Sequence, residues 1–284
     1  PLFAPRVSAY ALVMPPSAIV LRTAGVNCEA EMCRAFRDAG ASPELVHADA
    51  LAADPARLDR AELIGFPGGF SYGDDIAAGR VLAVLLRRTL YPALARAARR
   101  GVPMIGVCNG FQVLTQLGLL PGPEPGEDWP DAPPEPTVAL AENESGRFVD
   151  RWCRVEADPA SPCVWTAGFP TDAGRALLPV AHGEGRLVAA DPELIPRLAA
   201  RGRVPLRYAP GDNPNGSAHD VAGLCDHTGR ILGLMPHPER ALTPRHHPWA
   251  DRLAHGPDND PGRQPPGLAM FAAAVAAARA DAPA

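Results

Sequence analysis

The chain has 284 residues, 46% hydrophobic and 21% charged, with a net charge of −5, a balance that supports a packed core. Its side-chain cations are arginines scattered along the sequence, without a lysine, so there is no basic stripe to grip a phosphate backbone and nucleic acid is not an expected partner. No apolar run approaches the roughly 20 residues that cross a bilayer, and no membrane association is expected.

Residues 1–17 lack a basic start feeding an apolar stretch and a cleavage site, and read as an extension before the first strand. Strand and helix patterns then alternate. Ala18–Leu21 is a predicted strand and Cys28–Ala39 a helix ended by Gly40. Leu45–His47 and Leu63–Phe66 are further strands, the second stopped by Pro67-Gly68-Gly69. Gly79–Arg100 carries a long helical pattern that Pro92 should kink or break. Val102–Val107 is a strand, and Asn109–Leu117 a helix closed by Gly118. Buried-looking strands separated by helices predict an open, mostly parallel sheet covered on both faces. Residues 121–136 hold seven prolines and must be irregular. Beyond them the rhythm changes to short strand-like pieces at 148–155, 177–181, 187–190 and 204–208, an antiparallel part. Ile231–Met235 returns to a central-strand pattern. Residues 243–266 read as loop, and Leu268–Ala280 as a closing helix. The expectation is one α/β domain over 1–284 with a β-rich second half and a core over about 18–278.

The six cysteines form no CxxC pair and no disulfide framework, which fits a reducing, cytoplasmic setting. One of them stands apart. In Gly106-Val107-Cys108-Asn109-Gly110 a strand runs into Cys108 and straight on into a helix, the thiol counterpart of a nucleophile elbow. The sulfur sits at a helix N-terminus, where the dipole favours a thiolate. A buried structural cysteine is the commoner role for a free thiol, and Cys28, Cys33, Cys153, Cys163 and Cys225 are read that way.

A nucleophilic thiol needs a base, and the base an orienting group. Met235-Pro236-His237-Pro238-Glu239 supplies both after a predicted strand. Pro238 favours an extended His237, from which Glu239 reaches the same side. Oxyanion donors are expected from the N–H of Asn109 and from the turn Phe66–Phe70, whose glycines leave backbone amides exposed. Gln112, one helical turn after Cys108, has two open partners, the amino-acid end of a substrate or a loop carbonyl. His182-Gly183-Glu184-Gly185 is a further polar turn. His246, His247 and Asp251 lack a tetrahedral ligand spacing, no P-loop is present, and neither a metal nor a cofactor is expected in this chain.

Together these residues resemble the class I (triad) glutamine amidotransferases, with Cys108, His237 and Glu239 in the triad positions. Phe66-Pro-Gly-Gly-Phe-Ser-Tyr-Gly-Asp74, Gly106-Val-Cys-Asn-Gly-Phe-Gln112, Val180-Ala-His-Gly-Glu-Gly185, Asn213-Pro-Asn-Gly-Ser217 and Gly233-Leu-Met-Pro-His-Pro-Glu-Arg-Ala241 narrow the resemblance to the glutaminase subunits of phosphoribosylformylglycinamidine synthase, over roughly Ala18–Ala278. It implies a flavodoxin-like sheet and hydrolysis of glutamine through a Cys108 thioester. It also implies an oxyanion hole at Gly69 and Asn109, with Gly68, Phe70, Gln112, His182 and Gly183 near the substrate. The ammonia would pass to a large synthetase subunit that uses ATP and Mg, in a complex with a small bridging subunit, for purine biosynthesis. The alternatives are a stand-alone cysteine hydrolase of the same fold and a catalytically silent regulatory subunit. The His237-Pro238-Glu239 signature and the Ser71-Tyr72-Gly73-Asp74 turn argue against the first, and the intact triad against the second.

Overall fold

The computed structural model describes residues 14–74, 76–171, 176–255 and 264–280. Residues 1–13 of the expected N-terminal extension lie outside the described residues. The first half runs β1 (Ser17–Arg22), α1 (Glu29–Asp38), β2 (Ser42–His47), α2 (Ala48–Ala53), β3 (Leu63–Phe66), α3 (Arg80–Thr89), α4 (Tyr91–Arg99), β4 (Met104–Val107) and α5 (Asn109–Gln116). The second half comprises β5 (Val138–Ala141), β6 (Val149–Ala157), β7 (Leu177–His182), β8 (Arg186–Ala189), α6 (Leu194–Ala200), β9 (Leu206–Tyr208), β10 (Val221–Cys225), β11 (Ile231–Leu234), α7 (Ala250–His255) and α8 (Pro266–Ala280).

Nine strands make one sheet in the order β2-β1-β3-β4-β11-β10-β9-β6-β7. The first five of these run parallel, and the other four continue the sheet antiparallel. Burial explains the division. β3, β4 and β11 are buried at every position, as strands covered on both faces must be, whereas β6 alternates between core and solvent, as an antiparallel sheet with one wet face allows. The β5–β8 pair forms a separate two-stranded ribbon.

α1 turns Met32, Cys33, Ala35 and Phe36 inward, and carries Glu29 and Glu31 in its first turn and Arg37 in its last, matching the helix dipole. Phe36 meets Trp165 and Phe271 of α8 edge-on, with ring centroids 6.4 and 5.0 Å away, pairs worth about 0.5–1.5 kcal/mol each beyond their buried area. α5 is buried from Asn109 to Thr115, so the helix that follows the elbow is a core element with little freedom to shift.

Pro92 does break the helical pattern over 79–100, and sits in the first turn of α4, where its missing N–H costs nothing. Residues 121–136 contain neither helix nor strand. Several elements differ from the sequence reading. β10 and β5 were not expected as strands, nor α2 and α6 as helices. The loop expected over 243–266 contains a 3-10 turn at Pro244–His246 and α7, while 256–263 lie outside the described residues. No helix among the described residues is long and apolar enough to cross a membrane.

Candidate active site

In a parallel sheet, sites form beyond the carboxyl ends of the strands, near the point where strand order reverses. Here the order reverses between β1 and β3, and the loops after β1, β3, β4 and β11 converge there. Cys108 follows β4 directly, with φ 53° and ψ −108°, a left-handed conformation that a non-glycine residue holds only under constraint. Two close approaches supply the constraint. A Cβ on Gly106 would lie 2.6 Å from the Gly110 carbonyl oxygen, and one on Gly110 would lie 1.9 Å from that of Phe66. Only glycine at both positions lets α5 start this tightly against the sheet. The Cys108 N–H donates to the Leu234 carbonyl at 2.8 Å, continuing the β4–β11 register in which Val107 pairs Leu234.

That register brings the segment after β11 alongside the elbow. His237 N–H donates to the Pro179 carbonyl at 2.8 Å, and the ring Nδ1 lies 2.7 Å from Glu239 Oε1, with both side chains buried. His237, at φ −102° and ψ 89°, stops short of the extended strand conformation expected, and from Pro238 the chain enters a 3-10 turn, so Glu239 reaches the ring by a turn instead of along an extended strand. Burial opposes charge on His237. The Glu239 carboxylate and hydrogen bonding to Cys108, Cys28 and Glu239 more than offset it, and hold the imidazole pKa well above its usual value. Nε2 has no hydrogen-bond partner of its own. Gly68 lies between the groups: a Cβ there would be 2.8 Å from His237 Cε1 and 3.4 Å from Cys108 Cβ.

Among the described residues, neither expected oxyanion N–H donates to another backbone group. Asn109 opens α5, so its N–H has no intrahelical partner. Gly69 faces Val26 as an isolated antiparallel bridge whose bonds run from Asn27 N–H to Gly68 O at 3.3 Å and from Phe70 N–H to Gly25 O at 2.9 Å. In such a pair the central residues do not bond each other, so the Gly69 N–H points away from Val26. A cavity of about 170 Å³ opens beside it, lined by Gly69, Phe70, Asp74, Cys108, Gln112, Phe148, Gly183 and Glu184 among others. Cys108 Sγ lies 3.7 Å from the Ala181 carbonyl oxygen on the cavity wall. Phe70 and Phe148, both exposed, stand with ring centroids 6.4 Å apart.

Of the two partners open to Gln112, the loop carbonyl is the one it holds. Its Nε2 donates to Glu184 O at 2.6 Å, and its Oε1 accepts from Asn109 Nδ2 at 3.0 Å. Asn109 Nδ2 also donates to Asp74 Oδ1 at 3.2 Å. His182 lies beneath the same loop: Nδ1 is 3.1 Å from Asn143 Oδ1 and Nε2 3.5 Å from Asn215 Nδ2. Burial, with His237 adding to it, lowers its pKa to about 4, so His182 is a neutral, packed imidazole. The turn at Ser71–Asp74 is less exposed than its polarity suggests, with Ser71 buried and only Gly73 exposed.

Two residues of the site escaped the sequence reading. Cys28, read as a packing residue, places Sγ 3.9 Å from His237 Nδ1 and accepts from Arg240 NH2 at 3.1 Å. Arg240 in turn donates through Nε to Glu31 of α1 at 3.1 Å. The position of Arg240 next to Glu239 was the one available signal. His246 and His247 instead accept the backbone N–H groups of Leu242 and Trp249.

A thiol on an elbow, a buried imidazole–carboxylate pair and N–H groups without a backbone partner around one cavity define an enzyme that opens amides with a cysteine nucleophile. Residues 15–276 match the CobB/CobQ-like glutamine amidotransferase domain. The chain belongs to this family, within its phosphoribosylformylglycinamidine synthase subunits PurQ. The PurQ of Dehalococcoides mccartyi is 42% identical, over 92% of this chain and 97% of that protein, and the PurQ of Frankia casuarinae 44%, over 77% and 82%. Among solved structures, that of PurLQS from Thermotoga maritima superposes with a TM-score of 0.67 at 32% identity, covering 93% of this chain and 99% of that one. A GMP synthase-like protein of Thermoplasma acidophilum shares the fold, with a TM-score of 0.51 at 12% identity over 93% of this chain and 95% of that one.

Proposed function

We propose that this chain is the glutaminase subunit of a phosphoribosylformylglycinamidine synthase, splitting glutamine into glutamate and ammonia at Cys108. The observation that carries the reading is the buried His237–Glu239 pair at 2.7 Å, set against a thiol whose backbone is held at φ 53°. Cys108 gives its proton to His237 and its sulfur attacks the side-chain amide carbon of glutamine. The N–H groups of Asn109 and Gly69 take the charge that develops on the amide oxygen, a contribution worth about 3–4 kcal/mol for a single such donor. His237 then protonates the departing nitrogen as ammonia leaves and a glutamyl thioester remains. With the same nitrogen it draws a proton from water, which attacks the thioester and releases glutamate and the free thiol. Glu239 fixes the ring and supports the imidazolium between these transfers.

The cavity is well below the about 300–1,000 Å³ of sites for drug-sized ligands, a scale that suits one amino acid. Phe70 and Gly183 border it, and Gly68 packs against the triad. Gln112 and His182 act indirectly in this reading, by holding the loop at 183–185 that forms one wall. The ammonia passes to a large synthetase subunit that consumes ATP with Mg and makes formylglycinamidine ribonucleotide. A small bridging subunit completes the complex, the counterpart of the PurLQS assembly. The chain itself uses no cofactor, and the exposed Phe70–Phe148 pair at the cavity supports a partner surface there. Six free cysteines support a reducing, cytoplasmic location.

Glutamine hydrolysis by the assembled enzyme tests the reading. Cys108→Ala should abolish it while the variant still folds and binds the synthetase, and near-wild-type turnover in that variant would remove Cys108 from the reaction.

A further inference from the structure

The hydrolysis makes no use of the Cys28 thiol, which lies buried against His237 and Arg240. Cys28 Sγ, His237 Nδ1 and a Glu239 carboxylate oxygen lie within 4.8 Å of one another. We propose that these three residues form an inhibitory binding site for a soft divalent cation of the zinc type.

The donor set is one that zinc takes, a thiolate, an imidazole and a carboxylate. Bonds of about 2.3 Å to sulfur and about 2.0 Å to nitrogen span the 3.9 Å between Sγ and Nδ1. The 2.7 Å between Nδ1 and Oε1 is short for two ligands of one ion. Glu239 Oε2, however, is buried without a hydrogen-bond partner, so a small rotation of the carboxylate offers a free oxygen. Burial raises the pKa of the free Cys28 thiol, and the metal has to replace that proton; Arg240 NH2 donates to Sγ at 3.1 Å and is itself held by Glu31, the kind of outer hydrogen bond that orients and tunes a metal ligand. Water completes the coordination. Binding releases the Cys28 thiol proton to solvent, while the single proton of the neutral imidazole shifts from Nδ1 to Nε2.

Occupancy stops the reaction through His237, so the inhibition, unlike the binding, rests on the function proposed above. An imidazole with its Nδ1 on the metal carries its proton on Nε2. It then has no lone pair to accept the proton of Cys108, and Glu239 is drawn away to the ion. Because all three ligands are buried, access requires local opening, and inhibition develops slowly instead of on mixing.

The test uses the full-length purified chain with Zn²⁺ titrated against a chromophoric chelator, and Co²⁺ as the spectroscopic probe. The expected result is one saturable ion per chain and a thiolate-to-cobalt charge-transfer band in the near ultraviolet. Cys108→Ser should keep both. Cys28→Ser should lose the band and bind zinc at least about tenfold more weakly, the lower bound for disturbing even an outer partner of a metal site. Glu239→Gln should also weaken binding, and decides the matter if Cys28→Ser does not fold. In the assembled enzyme, zinc should inhibit wild-type glutamine hydrolysis, a chelator should restore it, and Cys28→Ser should resist relative to its own zinc-free rate. Unchanged affinity in Cys28→Ser or Glu239→Gln, loss of the band in Cys108→Ser, or no saturable binding by the wild type overturns the site. Tight binding by a chain that hydrolyses no glutamine would leave the site standing and overturn the function.

Discussion

Substituting Gly68 by alanine perturbs the triad without touching any of its members. Gly68 is not among the residues with positive φ, so its backbone accepts alanine without strain. The new methyl would stand 2.8 Å from His237 Cε1, 3.2 Å from Cys28 Sγ and 3.4 Å from Cys108 Cβ. Comfortable carbon–carbon separations are about 3.5–4.0 Å, so the imidazole has to retreat by about 0.7 Å or tilt. It has little room to do so, held by Glu239 at 2.7 Å and by the Pro179 carbonyl through its backbone. A displacement of about 1 Å in a reacting group costs about 10²-fold in rate, or about 2.7 kcal/mol of barrier. Overpacking of this size costs about 1–3 kcal/mol of stability. Steady-state glutamine hydrolysis by the assembled enzyme, with thermal melts of the same samples, separates the two effects. The turnover number should fall about 10²-fold while KM moves little, because the methyl points at the triad and Gly68 does not line the cavity. Gly168→Ala is the control, its Cβ meeting nothing nearer than 3.6 Å. A folded Gly68→Ala enzyme with wild-type turnover, or a loss that merely tracks unfolded protein, would refute the reasoning.

Glu239→Gln should lower turnover by about 10⁴-fold and His237→Ala by about 10⁶-fold, the ordering seen when an orienting carboxylate and a base are removed separately; wild-type activity in Glu239→Gln would take it out of the triad. The isolated chain should be a poor glutaminase that gains at least tenfold (about 1.4 kcal/mol of barrier) on docking with synthetase, nucleotide and bridging subunit, and full activity alone would favour a stand-alone hydrolase. His182 gives a pH signature. Its folded pKa of about 4 lies below the about 6.5 of an unfolded histidine, so the unfolded chain binds the extra proton in between. Stability should therefore fall as pH drops from 6.5 to 4, by about 3 kcal/mol from this residue alone. Denaturant unfolding across that range, with the imidazole titration followed by NMR, checks both the sign and the size. His237 has the opposite sign: its raised pKa adds stability below 6.5 that is lost as pH rises through the folded value.

The parallel half of the sheet was legible because its strands leave no choice. Leu63–Phe66, Met104–Val107 and Ile231–Leu234 are apolar at almost every position, and helices of clear period separate the first two. β10, Val221-Ala222-Gly223-Leu224-Cys225, is equally buried, but it follows a loop and no flanking helical pattern marks it. α6, which holds Pro196 in its first turn, and α7 are brief helices, and their helical state depends on what they pack against, which a local pattern cannot report. The end of β11 shows the same limit at the scale of one side chain. The dipeptide His237-Pro238 predicts an extended histidine, and the turn that follows is set by α8, whose Gly267 packs so closely on the Pro238 carbonyl that a Cβ would lie 1.8 Å from it.

The motifs looked like independent signals in the sequence, and the structure shows why they travel together. Asp74 of one, Asn109 and Gln112 of another and Glu184 of a third are links of a single hydrogen-bonded chain, Asp74 Oδ1 to Asn109 Nδ2, Asn109 Nδ2 to Gln112 Oε1, and Gln112 Nε2 to Glu184 O. Asn109 and Gln112 are buried, so removing any one link would strand a buried polar group, which costs more than the bond itself contributes. The chain joins the turn after β3 to the start of α5 and to the loop after β7, the three segments that border the cavity. A second tie, from Glu31 through Arg240 to Cys28, joins α1 to the turn that carries His237 and Glu239. Spacing along the sequence reveals neither, because each link spans elements that only the folded sheet brings side by side. The geometry of the nucleophile and its base thus depends on residues outside the triad, and a change at Asp74 or Glu31 should reach Cys108 or His237 through these ties.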